Sequence, residues 1–176
     1  VKPTRINIIT PFSRQQYLSA LITYLETEKI DAWYPVYLEG QLSKTDKDWI
    51  HPVFLESIPE HHDICAYKLN YGIEHIDIDD DAYYCFLTDD TLYETGFFDK
   101  LRAIDYDVIV CSMKRGHHTP GVSDNGLMHG TSTLLASYEN MSPGGIGPEQ
   151  MIIKGRILRQ VRFPNTFAFD GDMGLI

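Results

Sequence analysis

Apolar and polar positions alternate along this chain in blocks that predict strands and helices in turn. RINIIT (5–10) is a short Ile-rich run, the pattern of a buried strand, and Pro11 stops it. Ser13 with Gln16 three residues later reads as a capping box. The helix that follows repeats apolar residues at Tyr17, Leu18, Leu21, Ile22 and Leu25, one face at helical spacing. DAWYPVYLE (31–39) predicts a second strand, with Pro35 pointing to an edge or a bulge. GQLSKTDKDW is a polar loop and PVFL a third strand. Asp63 is placed to cap a helix whose apolar face is Ala66, Leu69, Ile73 and Ile76. AYYCFL (82–87) predicts a strand covered on both faces, and 96–104 a short helix. DVIVCSMK (107–114) reads as one more buried strand, followed by a Gly- and His-bearing loop to Gly130. TSTLLASY and QMIIK read as strands, SPGGIGPE as punctuation and GRILRQV as a short helix.

Strands alternating with helices predict an α/β fold with a mostly parallel sheet. No repeat, low-complexity tract or linker interrupts the 176 residues, so a single domain is expected over 1–176. The chain carries no run of the roughly 18 apolar residues that a membrane span needs. Its formal charge of −10 argues against a nucleic-acid partner, whose readers present a basic face. A small phosphorylated ligand stays open, because a bound metal ion reverses the local field. Cys65, Cys85 and Cys111 are odd in number and widely spaced, so buried free thiols in a reducing, cytoplasmic setting are expected.

In open α/β sheets, ligands sit beyond the carboxyl ends of the strands. Three features fall at such ends: TPFSR after the first strand, Glu39 after the second, and TDDT after AYYCFL. Two adjacent carboxylates repel unless a cation lies between them, so Asp89 and Asp90 read as a metal anchor or as a solvated turn. Other candidates are weaker. His117, His118 and His129 line the later loop, which Gly121, Gly126 and Gly130 would let move as a lid; Lys114 and Arg115 lie at a strand end. The chain has no G-x-x-x-x-G-K-[ST] loop and no G-x-S-x-G elbow.

Three landmarks in order resemble family-2-like glycosyltransferases of the GT-A fold. INIITPFSRQQYLSALITYL is similar to the opening strand, turn and helix, with Ser13 where the family has Asn. LNYGIEHIDIDDDAYYCFLTDDTLYETGFFDKL is similar to the Asn-x-Gly helix, the strand, the Asp-x-Asp motif and the Gly-Phe helix, with Thr88 in place of the first acid. EQMIIKGRILRQVRFPNTFAFDGDMGL resembles the closing strand, helix and acidic pair, with Gly171 where an acid is common. The resemblance implies a three-layer α/β/α domain that binds a nucleoside-diphosphate sugar, a UDP-sugar foremost. It implies Mn2+ or Mg2+ on Asp90 with Asp89, and nucleotide contacts from Thr10, Pro11, Phe12, Arg14, Glu39, Asn70 and Asp89. Asp172, with Asp170 in reserve, would be the base that takes a proton from a carbohydrate or other hydroxyl acceptor. The usual Asp-Asp-Gly-Ser after the second strand is missing; Glu39-Gly40 is the nearest substitute. A related nucleotidyltransferase and a degenerate module that binds without catalysis remain alternatives, and homo-oligomers remain open. Such domains usually extend past the closing acid, so a C-terminal truncation is also expected.

Overall fold

The computed structural model describes residues 4–116, 131–134 and 147–164. Eight strands are described: β1 (Ile6–Pro11), β2 (Ala32–Tyr37), β3 (Val53–Phe54), β4 (Tyr83–Phe86), β5 (Val108–Val110), β6 (Met113–Gly116), β7 (Thr131–Leu134) and β8 (Met151–Lys154). The helices are α1 (Leu18–Thr27), α2 (Ile64–His75), α3 (Phe97–Arg102) and α4 (Gly155–Leu158). The central sheet has six strands in the order β3-β2-β1-β4-β8-β5. β1, β2, β3 and β4 are parallel, while β8 runs antiparallel to both β4 and β5. Direction cannot be read from QMIIK, because a short apolar run looks alike either way.

β1 is buried along its whole length, as expected for a strand covered on both faces. One face packs Ile6, Ile8, Trp33 and Cys85 against Leu18, Leu21 and Leu25 of α1 and Phe98 and Leu101 of α3. The other packs Ile9, Val36, Tyr84 and Phe86 against Ala66, Leu69 and Ile73 of α2 and Leu158 of α4. The result is the three-layer α/β/α arrangement.

Pro35 sits inside β2 and is tolerated for a local reason. Trp33 and Tyr37 turn their peptide groups outward, bonding Trp49, His51 and Leu55, and Pro35 shares their side. β3 begins only beside Val36, after a bridge from Trp33 to Ile50, so the missing N–H falls in a gap of the ladder. DVIVCSMK is not one buried strand. It breaks at Cys111–Ser112 into β5, at the sheet border with Val108 46% exposed, and β6, which pairs with β7 in a separate two-stranded ladder.

α4 docks tightly on the acidic turn that precedes β4. Gly155 N–H bonds Ala82 O at 3.0 Å, and a Cβ at Gly155 would overlap the backbone carbonyl of Asp79. Backbone cannot swing aside as a side-chain tip does. Gly155→Ala is therefore expected to cost about 2–3 kcal/mol in urea unfolding, and an unchanged midpoint would refute the packing.

Candidate active site

The chain moves from β1 outward to β2 and β3, then returns through α2 to β4 on the far side of β1. Strand order therefore reverses between β1 and β4. This is the position where a parallel sheet opens a crevice beyond its carboxyl ends. The loops leaving β1 and β4 meet there.

Asp89 holds the two loops together. Its Oδ2 accepts from Ser13 N at 2.8 Å and Arg14 N at 2.7 Å; its Oδ1 accepts from Arg14 Nε at 2.8 Å and from Arg14 Nη2. The Asp89 side chain is 3% exposed. A carboxylate set against backbone N–H groups at a helical start is well placed. It also displaces the expected capping box, since no side-chain cap bond forms at the helical turn of Gln15–Tyr17. Ser13 Oγ is instead an acceptor for Lys68.

Arg14 also reaches Asp90, with Nη2 2.8 Å from Oδ2. Burial works against its charge, but Asp89 and then Asp90 outweigh that, and the Arg14 pKa is raised. Asp90 is 41% exposed at its side chain, and its Oδ1 accepts from Thr88 Oγ1 at 3.0 Å. Thr88, standing where the resemblance expects an acid, thus orients Asp90, and its hydroxyl also lies 2.6 Å from that of Thr91.

The divalent ion implied by the resemblance can be tested against these donors. Asp89 is poorly suited to it, because two oxygens already serve four N–H bonds in a buried setting. Asp90 fits: one contact per oxygen leaves lone pairs free toward solvent. A hard cation bound by one carboxylate, waters and substrate phosphates is ordinary chemistry. Among the described residues, no three His, Cys, Asp or Glu side chains gather into a metal cluster.

The other expected residues divide. Glu39 stands exposed on the turn Leu38–Gln41, where Gly40 adopts φ 75°, at the end of the strand next to β1. Thr10 and Phe12 are fully buried, and the Thr10 hydroxyl accepts from Trp33 Nε1 at 2.8 Å, so both side chains serve the core; Pro11 is buried with them. Asn70 clamps the segment after α4: its Nδ2 donates to Phe163 O at 2.6 Å and its Oδ1 accepts from Phe163 N at 2.8 Å. Asp170, Asp172, His117, His118 and His129 lie outside the described residues.

Lys68 and Gln41 were not foreseen. Lys68 is fully buried, and its ammonium donates to Phe12 O at 2.5 Å, Ser13 Oγ at 2.9 Å and Gln41 Oε1 at 2.8 Å. Burial lowers it to about 8, against the pull of Asp89 and Cys65. In the sequence it resembles a solvated helix lysine. The one hint is Gly72, a single turn on, where a Cβ would come within 2.7 Å of Val36: α2 lies too close to the sheet for a narrow buried stripe.

No family model and no curated protein matches the chain. Among solved structures it is similar to the 2-C-methyl-D-erythritol 4-phosphate cytidylyltransferase (IspD) of Francisella tularensis, with a TM-score of 0.51 and 8% identity over 89% of this chain and 76% of that one. The shared feature is the fold, that of nucleotide-diphospho-sugar transferases: mixed α/β with a six-stranded, mostly parallel sheet. No helix among the described residues is long and apolar enough to cross a membrane.

Proposed function

We propose that this chain is the nucleotide-sugar-binding domain of a glycosyltransferase, moving a sugar from a nucleoside diphosphate to an acceptor hydroxyl. The observation that carries the reading is the solvent-facing carboxylate of Asp90, held by Thr88 and Arg14 where the loops leaving β1 and β4 meet. Asp90 would hold Mn2+ or Mg2+, which when bound neutralises the diphosphate as it leaves. Asp89 fixes the loop of Ser13 and Arg14 at the crevice mouth. Arg14 keeps its positive charge beside the place where diphosphate charge develops. Glu39 is exposed to accept from the base or ribose. Asp172, or Asp170, is proposed as the base toward the acceptor.

Calorimetry with UDP, GDP and CDP, with and without Mn2+, tests the reading. Wild-type protein is expected to bind one of them more tightly with the ion and then to hydrolyse the matching nucleotide sugar slowly. Asp90→Ala is expected to lose at least roughly 100-fold of the ion-dependent affinity. It should leave the melting temperature nearly unchanged, as an exposed side chain allows. Tight binding that ignores both the ion and Asp90, with no hydrolysis, would instead identify a module that only binds; the contact of Arg14 with both carboxylates favours that second reading. Nucleotidyl transfer, the chemistry in the structural neighbour's name, would show as diphosphate released from a nucleoside triphosphate.

A further inference from the structure

We infer that Lys68 is a positioning residue for nucleoside recognition, locking the turn that carries Glu39 to the loop that leaves β1. The inference rests on the nucleotide-binding reading above and names what sets its base and ribose side. Loop 12–14 and turn 38–41 belong to adjacent strands, β1 and β2, and the Lys68 ammonium joins them. Its three protons meet three acceptors: Phe12 O and Ser13 Oγ on one side, Gln41 Oε1 on the other. Gln41 Oε1 also accepts from Leu38 N at 2.9 Å, and Gln41 N donates to Leu38 O at 3.1 Å. One amide oxygen therefore both closes the turn and tethers it. Glu39 and Gly40 at the tip are exposed, so their placement depends on that tether together with the two bonds between Gln15 and Ser43 that join the same loops.

The geometry accounts for a lysine at a fully buried position. A buried ammonium is costly unless all of its donors are used. Here the acceptors are neutral. The charged and titratable groups acting on it are Asp89 from the β4 loop and Cys65 one turn earlier on α2. With its lowered value still near 8, the ammonium keeps its proton at neutral pH. Asp89 clamps the same β1 loop from the opposite side through Ser13 N and Arg14 N. The two clamps divide the crevice: Asp89 with Arg14 on the diphosphate side, Lys68 with Gln41 on the nucleoside side.

Gln41→Ala and Lys68→Met separate these sides. Gln41→Ala cuts the tether yet leaves Lys68 two acceptors, so it is expected to fold even if Lys68→Met does not. Calorimetry with UDP, GDP, CDP and inorganic diphosphate, all with Mn2+, is the readout. Gln41→Ala is expected to weaken the preferred nucleotide roughly ten- to hundredfold and to shrink its preference over the other two. Inorganic diphosphate should bind as it does to wild type. Unchanged nucleotide affinity and selectivity in Gln41→Ala would overturn the inference alone. Equal losses for nucleotide and diphosphate would also overturn it, since they mark general loosening. A wild-type chain that binds none of the four would sink the nucleotide-binding reading, and this inference with it.

Discussion

Asp89→Ala is expected to lower unfolding stability by about 2–3 kcal/mol, the scale for removing a buried carboxylate from part-buried backbone and guanidinium donors. The substitution leaves the N–H groups of Ser13 and Arg14 without their acceptor and frees Arg14 from its firmest partner. A part-buried donor left without its acceptor costs up to the desolvation penalty of the group, about 1–3 kcal/mol. Asp89→Asn keeps the volume but turns an NH2 toward the guanidinium or the backbone N–H groups, so it should also destabilise, by less. Asp90→Ala is the control, since the Asp90 side chain is 41% exposed and holds no backbone N–H group of the β1 loop, and should stay within about 1 kcal/mol of wild type. Urea unfolding of the three variants decides. An Asp89→Ala protein as stable as Asp90→Ala would show that the two loops are not joined through this carboxylate.

The second large effect is alkaline unfolding. Burial raises the thiols of Cys65 to about 12 and Cys111 to about 11, and Cys85 well above the usual thiol value. It likewise raises the phenols of Tyr24, Tyr34, Tyr84 and Tyr93. These acids keep their protons in the folded chain at a pH where the unfolded chain has lost them. Their contribution is complete below the unfolded values and is lost as pH rises through the folded ones. The loss is about 1.4 kcal/mol per pH unit for each group. Between about pH 9 and 11 the thiols of Cys65 and Cys111 remove on the order of 5 kcal/mol, a large share of a domain's stability, and Cys85 and the phenols act in the same direction. Lys68 acts the other way between about 8 and its ordinary 10.5, but it is one group against seven. Circular dichroism under reducing conditions is expected to show cooperative unfolding before about pH 11. Equal urea midpoints at pH 7.5 and 10 would contradict this account.

Local reading failed where a distant residue outcompeted a near one. Ser13 and Gln16 have the spacing of a capping box, but parallel pairing of β1 with β4 delivers Asp89 to the same N–H groups. A carboxylate binds two backbone donors more strongly than a hydroxyl binds one. Asp63 met no such competitor and caps α2 as expected, accepting from Ala66 N at 2.7 Å. The acid pair in TDDT was legible as a pair, but the division of labour within it was not. Alternation along the loop sends Asp89 inward and Asp90 outward only once the neighbouring strand is in place.

The sequence by itself determined the order of elements, the parallel half of the sheet, and the arrival of the β1 and β4 loops at one edge. Apolar periodicity and chain order suffice for these, because a buried strand and an amphipathic helix have few ways to pack. Only the tertiary structure decided that β8 runs antiparallel, that Asp89 clamps while Asp90 faces solvent, and that Lys68 is buried at the crevice. The outcomes for Asp89 and Lys68 depend on which polar groups meet across more than fifty residues of chain, and a desolvated charge settles where its hydrogen-bonding partners are, wherever they lie in the sequence.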